Sequence, residues 1–476
     1  MARTQHFTVH AKIPIYSLGF IQDNVIVYSG GGGAGRSGVA NAIVAARIDL
    51  PAQTIHKLNE LTLSRDEDAP MAMTVNEAKS QLICGINNIA GDMKTGKNQP
   101  IRIFEYSLQE SITSSHSAEA SDEMPTSSQK GKAKEQNATV ELHFTRAAAS
   151  MHIQDPDHYL KVATFSTNGR MLAVASTDGQ VALHRYPSLS PVWCDTGEPS
   201  SSTLAAADAK DTSISIPSHD FDKSELYDAD FSHSDTHVVL TSSSKLVVYA
   251  TEPFSEPSNL DDATANDDVH TNTAEGYAQT VQTIKNPALG GKGPCSFRAA
   301  RFGRGQASKE KLFTVVNAAP ASGRGPKAKI RKSFVTAWDA DTWDLIETRH
   351  VSDRPVTVFD VSPDGKFLAY GSSDLSIGVL DSKTLRPVLK ILHAHDFPPT
   401  CLKFNPASDL LVSASADNTL RVIPIPTKAL LESALSGGGA LAFISETRLG
   451  FYTTIFLSLL IAALALWLQH KYLTTT

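Results

Sequence analysis

The sequence predicts an all-β protein: a seven-bladed β-propeller of WD-repeat type followed by one C-terminal transmembrane helix. Three observations carry that reading. A two-part phrase recurs along the chain, an apolar strand and a small polar turn followed by a second apolar strand running into Ser, Thr or Gly. Two clear copies stand one blade apart, with 43 residues from Val361 to Phe404. Between Leu449 and Leu468 no residue is charged, and twenty apolar-dominated residues in a helix rise about 30 Å, the thickness of a bilayer core.

The first copy runs through residues 16–20 and 25–28, and the second through 72–75, 82–85 and 101–104. The third is explicit: Phe165-Ser166-Thr167-Asn168-Gly169 leads into Met171-Leu172-Ala173-Val174. Weaker fourth and fifth copies occupy 229–249 and 300–316, and the strand 334–337 ends in a literal Trp338-Asp339. The sixth and seventh copies start at Phe359 and Leu402. Phe7-Thr8-Val9 is placed to close the ring in the last blade. Asp178, Asp374 and Asp417 each sit in a tight turn before an alternating strand, where an aspartate caps turn amides. They read as structural, as does His395.

Insertions stretch the spacing. Segments near 109–140, 195–225, 251–275 and 303–332 are polar or charged and are expected to be disordered loops. The last holds a basic cluster (Arg304, Lys309, Lys311, Arg324, Lys327, Lys329, Arg331, Lys332). It reads as a solvated loop, with contact to anionic lipid as the competing reading. Residues 1–427 form the propeller, 428–448 a short tether, 449–468 the span and 469–476 a short tail. No apolar segment follows Met1, so the propeller is expected on the cytosolic side and the tail in the lumen.

Composition narrows the function. A hydrophobic content of 41% supports a sizeable core, and a net charge of −7 argues against a general nucleic-acid binder. The four cysteines, Cys84, Cys194, Cys295 and Cys401, show no metal-ligand spacing and read as reduced thiols. No catalytic constellation emerges, and no small-molecule substrate is expected.

One stretch stands apart: Gly30-Gly31-Gly32-Gly33-Ala34-Gly35-Arg36-Ser37-Gly38-Val39-Ala40-Asn41. Four glycines in a row carry a large backbone-entropy cost, which suits a place where the backbone must crowd an ion, a phosphate or another protein. As a phosphate loop, residues 30–37 put Arg36 where a lysine is required. As a dinucleotide fingerprint, residues 33–38 need a helix next and an acid about 20 residues on. Glu60 is near that offset, but Asp49-Leu50-Pro51 breaks the chain first. The third reading is a rigid loop between strands of the first blade.

Propeller repeats, a C-terminal span and this loop together resemble the Sec-twelve / prolactin regulatory element-binding protein family. These are the endoplasmic-reticulum guanine-nucleotide exchange factors for the Sar-type small GTPase of COPII coat assembly. The resemblance implies that the loop binds a potassium ion through backbone carbonyls of Gly30, Gly31, Gly32 and Gly33. It also implies that Ser37, Val39, Ala40 and above all Asn41 contact the GTPase, with Gly30, Gly31, Gly32, Gly33, Gly35 and Gly38 shaping the loop. No organic cofactor is implied. The expectation for Asn41→Ala is slower GDP release with a nearly unchanged melting temperature. The alternative is a membrane-tethered scaffold without exchange activity.

Overall fold

The computed structural model describes residues 6–35, 37–111, 137–195, 214–215, 221, 224–251, 279–285, 295–319 and 330–426. The tether 428–448, the span 449–468 and the tail 469–476 lie outside them. Among the described residues no helix is long and apolar enough to cross a membrane.

Alternating strands and tight turns build seven antiparallel sheets in the compact unit His6–Ile423. Blade 1 is Ile15–Gln22, Val25–Gly30, Ala42–Asp49 and Thr54–Thr62. Blade 2 begins at Ala72–Asn76, blade 3 at Leu160–Phe165, blade 4 at Leu226–Phe231, blade 5 at Cys295–Phe302 and blade 6 at Val356–Val361. Blade 7 takes three strands from the C-terminal side, Pro399–Phe404, Leu410–Ser415 and Thr419–Pro424, and its fourth from Phe7–His10. Phe7 pairs with Val422 and His10 with Thr419, so the two ends of the ring are joined within one sheet. The predicted closure is present.

The core lies between neighbouring blades. Leu18, Phe20, Val44 and Ile48 of blade 1 pack with Leu410, Val412 and Val422 of blade 7. Trp193 of blade 3 packs with Phe231 and Tyr249 of blade 4, the Trp193 and Tyr249 rings 5.4 Å apart. Sheets that bury both faces need apolar residues at successive positions, and Val25–Gly30 is buried throughout.

Polar residues bond between neighbouring blades and within single blades. Asp230 accepts from the Phe302 amide at 2.8 Å, and Asp360 from the Phe404 amide at 3.1 Å. His395 bridges Thr419 Oγ1 at 2.6 Å and Ser413 Oγ at 2.7 Å, and Asp417 accepts from the Thr419 and Asp396 amides. Trp338 donates from its indole to Thr336 at 2.9 Å. Asp417 and His395 hold the scaffold together, as expected, and Asp230 and Asp360 join them.

Three insertion boundaries need correction. The third strand of blade 2 extends to Ser111 and the fourth starts at Asn137, so the ends of 109–140 are sheet. In 195–225, Ile214–Ser215 pairs parallel to the strand Pro191–Asp195, and Phe221 is buried between blades 3 and 4. In 303–332 the first half belongs to blade 5: a short turn of helix, Gly305–Ser308, leads into the strand Lys311–Ala318. There Arg304 bonds Asp230 Oδ1 at 2.6 Å and Phe231 O at 2.8 Å, so it is no part of a solvated loop. Paired charges on strands look like a loop when their partners are far away in sequence. The middle of each segment, including Arg324, Lys327 and Lys329, lies outside the described residues.

Candidate functional site

The glycine stretch joins the second and third strands of blade 1. A strand, not a helix, follows it at Ala42–Asp49, so both nucleotide-binding readings fall. Each blade is a meander, so its second-to-third connection emerges at the same end as the crossings to adjacent blades. The loop 31–41 therefore shares a face with the crossing 63–71 and with the blade 2 loop 86–100.

Asn41 holds the loop's base. Its Oδ1 accepts from the Gly33 amide at 2.9 Å. Its Nδ2 donates to the carbonyls of Ser64 and Glu67, both at 3.0 Å. The residue is only 1% exposed. Where the resemblance implies contact with the GTPase, the geometry shows a side chain engaged by its own chain, which holds the shape of the loop. Truncation to Ala would orphan buried groups, so an unchanged melting temperature is no longer the expectation.

A second layer braces the crossing that Asn41 grips. Arg102 donates to Glu67 Oε1 at 2.7 Å and to Asn88 Oδ1 at 2.8 Å. Asn87 donates to Asp68 Oδ2 at 3.1 Å and to the His158 carbonyl at 2.8 Å. Asp68 also takes the Ala34 amide; burial raises its carboxyl above the usual range, and these two bonds pull it back. Sequence reasoning missed Glu67, Asp68, Asn87 and Arg102. The only local signal was a polar cluster between two apolar runs.

The glycines are needed for different reasons. Gly30 ends its strand, pairs with Ala42, and would drive a Cβ to 1.8 Å from Pro14 O. A Cβ on Gly31 would sit 2.4 Å from Asn41 Oδ1 and 2.7 Å from Ala40 O, at a φ of +143°. On Gly32 it would meet Ser37 Oγ at 1.8 Å and Val39 O at 2.9 Å. Gly33 and Gly38 have φ of +72° and +78° with open space around them, which suits residues that turn the chain. Gly35 meets nothing nearer than 3.9 Å.

Of the expected contact residues, Ser37 is exposed, Ala40 is half-buried, and Val39 packs onto the core between blades 1 and 7. Arg36 lies outside the described residues. The surface offered outward is the tip, with Ala34, Gly35, Ser37 and Gly38 all exposed. Inside the loop, Val39 O, Ala40 O, Asn41 Oδ1 and Ser37 Oγ crowd the space that a Cβ on Gly31 or Gly32 would fill. Gly30 lies in the sheet ladder, which leaves Gly31 to Gly33 as the loop's own members of the expected set. Cys84 and Cys401 are free thiols, and among the described residues no group of three His, Cys, Asp or Glu could hold a metal.

Fold and loop together define a WD-repeat propeller carrying a braced glycine loop on one face. The family described as WD domain, G-beta repeat, matches residues 386–423. Guanine nucleotide-exchange factor SEC12 of Mus musculus is 21% identical over 411 residues, 83% of this chain and 82% of that protein. SEC12 of Candida glabrata is 22% identical over 428 residues, 87% of this chain and 71% of its own. SEC12-like protein 2 of Arabidopsis thaliana is 27% identical over 132 residues, 28% of this chain and 31% of that one. The chain is thus similar, at modest identity and along most of its length, to proteins named guanine nucleotide-exchange factor SEC12.

Proposed function

We propose that this chain is a guanine-nucleotide exchange factor that promotes GDP release from a Sar-type small GTPase, the step that starts COPII vesicle budding at the endoplasmic reticulum. The observation that carries the reading is a loop locked at its base by Asn41 and exposed at its tip. Similarity to exchange factors over most of the chain supports it.

An exchange factor performs no covalent chemistry. It binds the nucleotide-free GTPase better than the loaded one and so lowers the barrier to release. A loose glycine loop would lose much entropy on docking; a braced one has lost it already. Asn41 acts as a positioning residue, and the tip around Ser37 meets the partner. A potassium ion held by backbone carbonyls of the glycine run would stiffen the loop further. The run 449–468 anchors the propeller to the membrane, with 469–476 in the lumen.

The test is GDP release from a Sar-type GTPase, with and without the purified full chain. Acceleration is expected; no acceleration refutes the reading. Replacing potassium with lithium should slow exchange, and equal rates in both would remove the ion from the account.

A further inference from the structure

The channel through the ring encloses about 720 Å³. The innermost strands of blades 3, 4 and 5 enter it from the face that carries the glycine loop. They bring Tyr159, Lys161, Tyr227 and Arg298 to that mouth. Two cations share one aromatic ring there: Lys161 Nζ lies 4.5 Å and Arg298 Cζ 5.4 Å from the centre of Tyr227.

The carboxylates nearby are already engaged. Glu225 pairs with Lys161 at 2.5 Å, and Asp228 pairs with Arg301. Among the described residues, no carboxylate lies within ion-pair distance of Arg298; its contact is the Tyr227 ring. A guanidinium held by an aromatic ring alone keeps N–H donors with which it can fork onto an anion. Burial holds the Lys161 ammonium below its ordinary range, opposed by its bond to Glu225 and reinforced by the Arg298 charge; burial lowers Arg298 as well, opposed by the more distant charges of Asp228 and Glu225. Arg298, which has no carboxylate bonded to it among the described residues, is held where an incoming negative charge would relieve it.

We infer that this mouth is an anion site that takes a phosphate group between Arg298 and Lys161. The Arg298 fork grips two phosphate oxygens, and the Lys161 ammonium, shared with Glu225, adds a second donor beside it. The ligand is a small phosphate-bearing molecule, either free in solution or the exposed headgroup of a phosphorylated lipid. This site does not depend on the exchange reading.

The test uses the purified full chain, with pyrophosphate in calorimetry and phosphatidylcholine vesicles with and without phosphatidylinositol phosphate in co-sedimentation. Binding of at least one probe is expected, weakened about tenfold or more by Arg298→Gln and also by Lys161→Gln. Binding of pyrophosphate identifies a free anion, and Arg298-dependent binding to the phosphorylated vesicles alone identifies a lipid; both support the site. Arg298→Gln should leave the melting temperature unchanged or raised, since it removes a desolvated charge that lacks a carboxylate. If that variant fails to fold, Arg298→Lys keeps the charge without the fork and should bind several-fold more weakly. The inference is overturned if neither probe binds, if binding is indifferent to both Arg298 variants, or if Arg298→Gln lowers the melting temperature by several degrees while binding persists.

Discussion

Asn41 shows how one buried amide can set the shape of a loop through bonds to its own chain. Asn41→Ala removes the acceptor for the Gly33 amide and the donor for two carbonyls. Leaving such groups unpaired costs about 1–3 kcal/mol, so thermal unfolding should show a midpoint lowered by a few degrees. The adjacent glycines separate crowding from mere permissiveness. Gly31→Ala forces a Cβ within 2.4 Å of Asn41 Oδ1, whereas Gly35→Ala meets nothing nearer than 3.9 Å. Melting curves should show the first clearly destabilised and the second within about 0.5 kcal/mol of wild type. Equal losses would contradict the geometry. At this scale the sequence was half legible. A run of glycines announced an unusual backbone, but the Asn41 partners Ser64 and Glu67 are 23 and 26 residues away, in a crossing with no periodicity to mark it.

The blades were legible because each obeys two local rules at once, alternating or continuous apolar strands and Asp- or Gly-bearing turns. Blade 5 defeated those rules at its basic stretch, where Arg304 finds its partner Asp230 at a sequence separation of 74 residues. The buried histidines make the elements sensitive to acid. Burial pushes His395 down to about 4, opposed by Asp417, and burial pushes His184 to about 4, opposed by its bond to the Leu189 carbonyl. The unfolded chain binds these protons near pH 6.5, whereas the folded chain resists them until about pH 4. Stability is therefore fully present above pH 6.5 and is lost as pH falls from 6.5 toward 4, by up to about 3 kcal/mol for each residue. Denaturant titrations across that window should show a falling midpoint. A level midpoint would mean that the rings accept protons in place.

Ring closure is the property of the whole molecule. Phe7–His10 supplies the outer strand of blade 7, so the N-terminal strand and the last strands of the propeller stabilise each other. Deleting residues 1–10 exposes the edge at Thr419–Pro424 and uncovers the core that Phe7 packs against. The melting temperature should fall by roughly 10 °C or more, with increased aggregation; an unchanged transition would show that the ring closes without that strand. The seven-fold plan could be read from the order of the repeats because a propeller is built from local meanders. The layout of the face could not, since it depends on which loops the ring brings side by side.

The most direct measurement compares the rate of GDP release from a Sar-type GTPase driven by the wild-type chain and by Asn41→Ala, both confirmed as folded. The account predicts that the wild type accelerates release and that the variant loses at least about tenfold of that acceleration, equivalent to about 1.4 kcal/mol. Equal acceleration by both proteins would contradict it.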